Sequence, residues 1–211
     1  MIYIIRHGQT EKNKAKVLQG RSDVPLNDAG RQQAAEVRER FEREGISFDK
    51  IYTSPLVRAV ETAQIVAGAA PHQIVAGAAP HQIVTGAAPQ QFEIEGRLIE
   101  MDYGPYEGMD LTHPAPEIIT FFSDFVHNPA PEGMEPLPEV VARLGTFLEE
   151  IRDEARGRTI LLSTHAIAMK GALEYLTPES KGSYWSKYIG NCAVYKVEVG
   201  PDGSFGIPAE W

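Results

Sequence analysis

Ile2-Tyr3-Ile4-Ile5-Arg6-His7-Gly8 stands at the start of the chain, and Thr159-Ile160-Leu161-Leu162-Ser163-Thr164-His165 repeats its logic near the other end. Each is a short apolar or β-branched run without polar alternation, closed by a histidine. Such a run suits a strand covered on both faces, as in a largely parallel sheet between two layers of helices. Lys50-Ile51-Tyr52-Thr53 reads as a third strand, and the Ser54-Pro55 that follows predicts a helix N-cap with proline at the first helical position. Leu56, Val60, Ala63 and Ala67 keep the spacing of one helical face, and so do Leu137, Val140, Val141, Leu144, Phe147, Leu148 and Ile151. Further helices are predicted over residues 28–44, with Ala34, Val37 and Phe41 inward, and over residues 166–176. Residues 192–199 and the Gly200-Pro201-Asp202-Gly203 turn predict a last strand with a hairpin-like tail. Strands and helices alternate, so the expected fold is an α/β three-layer αβα sandwich on a mostly parallel central sheet.

The remaining composition bounds the function. A chain of 211 residues with 43% hydrophobic and 23% charged content suits a single domain over residues 1–211. Its net charge of −9 speaks against nonspecific binding to nucleic acid or anionic lipid, so an anion site would have to be local. Cys192, the one cysteine, can form neither an internal disulfide nor a thiolate zinc cluster, which fits a reducing, cytoplasmic setting. The apolar run at residues 2–5 is cut short by Arg6 and has no basic stretch before it, so neither a signal peptide nor a membrane span is expected.

Residues 64–72, 73–81 and 82–90 are three near-copies of one nine-residue unit that begins Gln-Ile-Val. Nine residues at about 100° each reverse the face of a helix, an odd period reverses the face of a strand, and Pro71, Pro80 and Pro89 interrupt any long helix. No single core face can take all three copies. The reading is that the first copy completes a helix and the other two form a protruding insertion, with no catalytic part for His72 or His81. An oligomer contact through Ile74-Val75 and Ile83-Val84 is the competing use, and the sequence leaves the oligomeric state open.

Ligands in open α/β sheets bind outside the carboxyl ends of the strands, and both His7 and His165 stand there. Arg58 falls in the first turn of the helix after the third strand, where the helix dipole favours an anion. Two histidines with Arg6 and Arg58 would make an anion pocket on an acidic protein, since arginine forks match phosphate oxygens.

Arg6-His7-Gly8-Gln9-Thr10-Glu11-Lys12-Asn13 resembles the signature of the histidine phosphatase superfamily, the phosphoglycerate mutase-like proteins. Gln19-Gly20, Asp23-Val24-Pro25-Leu26, Gly30, Ser54-Pro55, Arg58, Glu61-Thr62-Ala63, Leu98-Ile99-Glu100, Gly104, Glu107-Gly108 and His165 resemble its later landmarks in order. They span nearly the whole chain apart from the repeat and the tail. The family's usual spacing after the Thr-Ala pair is shorter by about two nine-residue units, in line with two inserted copies. The resemblance implies the phosphoglycerate mutase-like form of the sandwich and a phosphohistidine on His7. It further implies that Arg6, Arg58 and His165 hold the phosphoryl group and that Glu100 protonates the leaving group. Gly8, Asn13, Gln19, Gly20 and Ala166 complete the implied substrate contacts.

The chemistry is coherent without the family name. Two arginines disfavour a protonated His7 and attract a phosphate dianion, while fixed donors stabilise the equatorial oxygens without need of a metal or other cofactor. Glu100 works best with a pKa raised by partial burial near Tyr103 and Tyr106; Glu107 and Glu11 are the alternative acids. Ala166 stands where the family usually has glycine, and would cost about 1 kcal/mol if the backbone there needs positive φ.

The short chain and the segment at residues 19–26 resemble the phosphatase branch, which implies a phosphomonoesterase acting on a small phosphorylated metabolite. A phosphoglycerate mutase-type phosphoryl transfer and a noncatalytic phosphate-binding scaffold are the rivals. A metallohydrolase is disfavoured because Arg6 and Arg58 would repel the cation. Residues 111–135 are expected to cap the pocket, anchored by Phe121, Phe122 and Phe125, but no motif there identifies the substrate.

Overall fold

The structure, a computed structural model, describes residues 1–68, 82–83 and 90–211. The protruding insertion expected from the second and third repeat copies, with His72, His81 and the Ile-Val pairs, lies outside these residues except for Gln82, Ile83 and Gln90. In chain order the elements are β1 (Ile2–Arg6), α1 (Glu11–Lys14), α2 (Asp28–Arg43), β2 (Lys50–Thr53), α3 (Val57–Val66), β3 (Gln82–Ile83) and β4 (Gln90–Ile94). Then follow α4 (Pro116–Ser123), α5 (Leu137–Ile151), β5 (Ile160–Thr164), α6 (Ala166–Leu176), α7 (Ser183–Ser186), β6 (Val194–Val197) and β7 (Ala209–Glu210).

All seven strands join one sheet in the order β3-β4-β2-β5-β1-β6-β7. The four in the middle, β4, β2, β5 and β1, run parallel, whereas β3 on one edge and β6-β7 on the other are antiparallel. Ile5 of β1 is in register with Ser163 of β5, and Arg6 with Thr164. The register carries one residue further, because the His7 N–H donates to the Thr164 carbonyl at 2.9 Å. The two histidines therefore leave the sheet side by side.

Alternation along β1 supplies both cores. Ile2 and Ile4 pack with Val140, Leu144, Phe147 and Leu148 of α5 and with Ile167, Ala168 and Leu173 of α6. Tyr3 and Ile5 pack with Ala34 and Phe41 of α2 and Ala63 and Val66 of α3 on the opposite face. Each such side chain, taken fully out of water, contributes roughly 1.5–3 kcal/mol. The result is the predicted three-layer arrangement. Among the described residues no helix is long and apolar enough to cross a membrane.

Two local expectations are corrected. Ser54 does not cap α3: the cap position is Leu56, the helix begins at Val57, and the Ser54 hydroxyl is turned toward His165 instead. Cys192 lies outside β6, because its backbone is left-handed (φ 57°) and its N–H reaches the Arg6 and His7 carbonyls before the strand begins. The cap expected over residues 111–135 contains α4, with Phe121 buried and Phe122 and Phe125 packed on the same core.

Candidate active site

The loop after β1 is seated by backbone packed on backbone. A Cβ on Gly8 would lie 2.5 Å from the Gly30 carbonyl oxygen, and one on Gly30 would lie 2.1 Å from that of Gln9, so neither position accepts a side chain without displacement. The Gly8 N–H donates to Thr62 Oγ1 of α3, whose hydroxyl donates to the Arg58 carbonyl. Loop, α2 and α3 thus hold His7 and Arg58 in one frame.

His7 Nδ1 lies 2.7 Å from the Gly8 carbonyl oxygen. A carbonyl only accepts, so Nδ1 carries the proton and Nε2 presents a bare lone pair. That lone pair faces the Nε–H of Arg58 at 3.3 Å. Burial, followed by Arg58 and Arg6, holds the imidazolium form well below the usual histidine range. The ring is neutral near pH 7, as nucleophilic attack requires.

Arg58 is fully buried, and burial lowers it to about 10, opposed first by Glu100. Besides His7, it donates to the Ser22 carbonyl (2.8 Å) and the Gly20 carbonyl (2.6 Å). A guanidinium has five N–H donors, so two remain for a ligand. Glu61, one turn further along α3, accepts from the Leu26 N–H and pairs with Arg31.

His165 sits 5.1 Å from His7, centroid to centroid, and is fully buried. Its Nε2 is 2.7 Å from Ser54 Oγ. The Ser54 hydroxyl also accepts from the Leu56 N–H, and among the described residues its own proton has no acceptor other than His165 Nε2, which assigns the hydroxyl as the donor. The His165 proton is then on Nδ1, which has no partner. Burial and then Arg58 keep this ring neutral too. Two more buried donors lack partners: Arg6 Nε, whose fork is otherwise tied to the Ile189 carbonyl, and Gln19 Nε2, whose Oε1 accepts from Thr10. Leaving a buried donor unmade costs about 1–3 kcal/mol, so three such donors among the described residues are an expensive arrangement without a ligand rich in acceptors.

Glu100 is 3% exposed. Its Oε1 accepts from the Met101 N–H (2.9 Å) and the Ala168 N–H (3.0 Å), and its Oε2 from the Ile167 N–H (3.3 Å). It therefore supplies the first turn of α6 with the cap that His165, at the N-cap position, does not give. Tyr103 is buried with its hydroxyl held well above the usual range, by burial first and Glu100 second. Tyr106 turns outward to Glu117. Glu107 accepts from the Gly20 N–H with Oε2 and pairs with Lys12 at 3.8 Å through Oε1, which is buried and has no hydrogen-bond partner among the described residues, and Glu11 is exposed.

Asn13 closes a capping box on α1 with Thr10, and its Oδ1 also accepts from Asn191. Both backbone groups of Gly20 are engaged, by Arg58 and by Glu107. Ala166 is the first residue of α6 and has no positive φ, so alanine is unstrained there and its N–H stays unspent.

Three residues in this region take parts that the sequence reading did not assign to them. Ser54 sets the His165 tautomer across 111 positions. Arg143 of α5 donates to the Arg97 and Ile99 carbonyls on either side of Leu98 and pairs with Glu135, steadying the segment that carries Glu100. Lys170, inside α6, is buried three residues after Ile167, whose N–H is held by Glu100.

The chain matches the model of the histidine phosphatase superfamily (branch 1) over residues 2–79 and 78–205, two segments that meet inside the repeat. It is 32% identical over 184 residues to phosphoglycerate mutase-like protein 4 of Arabidopsis thaliana, covering 85% of this chain and 72% of that one. It is 27% identical to phosphoserine phosphatase 1 of Hydrogenobacter thermophilus, covering 88% and 80%. Among solved structures, YhfR of Bacillus stearothermophilus superposes with a TM-score of 0.77 at 27% identity, over 98% of this chain and 94% of that one.

Proposed function

The chain belongs to the histidine phosphatase superfamily, and from that premise we propose that it is a phosphomonoesterase that hydrolyses a small phosphorylated metabolite through a phosphohistidine on His7. The observation that supports this reading is the unprotonated Nε2 of His7, which faces the Arg58 Nε–H, in a buried region where Arg6 Nε, Gln19 Nε2 and His165 Nδ1 have no partner among the described residues.

In the first half-reaction Nε2 attacks phosphorus, the ester P–O bond breaks, and Glu100 gives its proton to the departing alkoxide. The two free N–H groups of Arg58, the Arg6 fork, His165 Nδ1–H and Gln19 Nε2–H receive the three equatorial oxygens. In the second, water attacks phosphorus, Glu100 takes its proton, the P–N bond breaks and inorganic phosphate leaves. Nothing in these steps calls on a metal.

The test measures inorganic phosphate released with a chelator present, from an aryl and from an alkyl phosphate, by the wild type and by Glu100→Gln. The amide keeps acceptor capacity toward α6 but supplies no proton. Expected are chelator-insensitive turnover and a loss of about 10²–10⁴ on the alkyl ester, much less on the aryl ester with its stable leaving group. Phosphoryl transfer to an added alcohol without release of phosphate would replace this reading with a mutase. Equal losses on both esters would remove Glu100 as the acid.

A further inference from the structure

Residues 189–193 lead into β6 and fasten the backbone of Arg6 and His7, yet the hydrolytic steps above give them no part. The Arg6 N–H donates to the Ala193 carbonyl at 3.0 Å, and its fork donates to the Ile189 carbonyl. Cys192, left-handed at φ 57°, aims its N–H at the Arg6 and His7 carbonyls, at 3.1 and 3.3 Å. L residues enter that region at a cost, and such outliers gather where a functional geometry is held. Asn191 adds a side chain to this clasp. Its Nδ2 donates to the His7 carbonyl at 3.1 Å and to Asn13 Oδ1 at 3.4 Å. An amide nitrogen carries two hydrogens, one for each of these acceptors, whereas the flipped amide would set oxygen against oxygen twice. The same logic passes to Asn13, whose Oδ1 also accepts from the Thr10 N–H at 3.2 Å. With that oxygen held between two donors, Asn13 Nδ2 is turned the other way and donates to no described residue. The Thr10 hydroxyl in turn accepts from the Asn13 N–H and donates to Gln19 Oε1, which leaves Gln19 Nε2 unspent. A relay that starts on the nucleophile's own carbonyl thus ends on two amide nitrogens with protons to give.

We propose that Asn191 is a positioning residue for phosphoryl transfer: its amide holds the His7 backbone and turns the Asn13 amide so that Asn13 Nδ2 is presented as a donor to the phosphoryl group. This deepens the phosphomonoesterase reading and rests on it. Asn191 itself touches neither substrate nor reacting atoms; it acts through His7 and Asn13. The competing role is purely structural, a fastening of the β6 lead-in to β1.

The experiment measures kcat and KM for an aryl phosphate, with calorimetric affinities for orthophosphate and for vanadate, an analogue of the phosphoryl-transfer transition state. It compares the wild type, Asn191→Ala, Asn191→Asp, Asn13→Ala and the double variant Asn191→Ala with Asn13→Ala. Asn191→Ala should lower kcat about tenfold, with vanadate affinity falling in parallel, while KM and orthophosphate affinity change by less than about threefold. Asn191→Asp keeps the size but sets a carboxylate against both acceptors, so it should lose more, about a hundredfold, and it carries the test should the alanine variant not fold. The double variant should lose little beyond the larger single loss, because both residues serve one donor. A purely structural fastening predicts a milder loss for Asn191→Asp than for Asn191→Ala. That ranking overturns the proposal, and so do additive single losses or a loss confined to KM. Should the wild type release no phosphate, the phosphomonoesterase reading itself falls and vanadate affinity decides the positioning role. The same order of losses then supports it, and unchanged affinity in the variants, or a wild type that binds no vanadate, overturns it.

Discussion

His7 and His165 leave adjacent parallel strands at the same level, both rings are buried, and both are kept neutral by burial and arginine. They differ in which nitrogen is bare. His7 spends its proton on the carbonyl of the next residue and presents a lone pair at Nε2. His165 accepts a hydrogen bond from the Ser54 hydroxyl at Nε2 and carries its own proton on Nδ1, which has no partner among the described residues. Two copies of one residue type in one electrostatic setting are thus given opposite tautomers by a single hydrogen bond each, which suits the proposed division into a nucleophile and a donor. Position in the sheet brings them together, and the partner atom sets the role.

The sharpest way to break this division is to remove the rings separately. His7→Ala should lower kcat for an aryl phosphate by about 10⁴-fold or more, as expected for loss of a nucleophile, and leave no acid-labile phosphoenzyme in quenched samples. His165→Ala removes one oxyanion donor and should cost about 10²–10³-fold in kcat while phosphoenzyme still forms. If the two variants lose equally and neither traps phosphate, the roles are not divided as described.

Acid titration sharpens the part the rings share. Below pH 6.5 the unfolded chain takes up protons on both histidines that the native state refuses, because their folded-state pKa values are depressed. The unfolded state then binds more protons, so stability is fully present above pH 6.5 and falls as the pH drops below it, by roughly tenfold in the folding equilibrium per histidine per pH unit. Denaturant titrations at pH 7 and pH 5.5 measure this, and His165→Ala should reduce the slope. An unchanged slope would place the His165 pKa near its ordinary value.

The smallest expected effect tests the partner atom alone. Ser54→Ala leaves His165 in place but releases its tautomer, so kcat should fall by only about three- to tenfold, with KM for phosphate esters little changed. No effect would mean that His165 holds its proton on Nδ1 without help.

Much of this was legible from strand ends. The apolar runs before His7 and His165 place both rings at the carboxyl edge of a parallel sheet, and the spacing of Val140, Leu144, Phe147 and Ile151 gives α5 its buried face. Sequence reading fails where a side chain's partner is remote. Ser54 before a proline has the local pattern of a helix cap, and nothing nearby reports that its hydroxyl is taken by a residue 111 positions away. Lys170 looks like an ordinary helix residue until α7 and Phe125 close over it. Asn13 shows the converse, since its side chain closes the cap of its own helix with Thr10, three positions away.

The bond from His7 to the carbonyl of Gly8 is internal to two consecutive residues. The tautomer of the ring is therefore encoded within the loop itself, while its neutrality also draws on burial and on Arg58 and Arg6. Under the proposed reaction, residues 111–135 could be redrawn for a new leaving group without changing which nitrogen of His7 is free of a proton. A scaffold wired in this way separates the inheritance of its reaction from the inheritance of its specificity, and an engineer exchanging that cap would start from an intact phosphoryl-transfer centre.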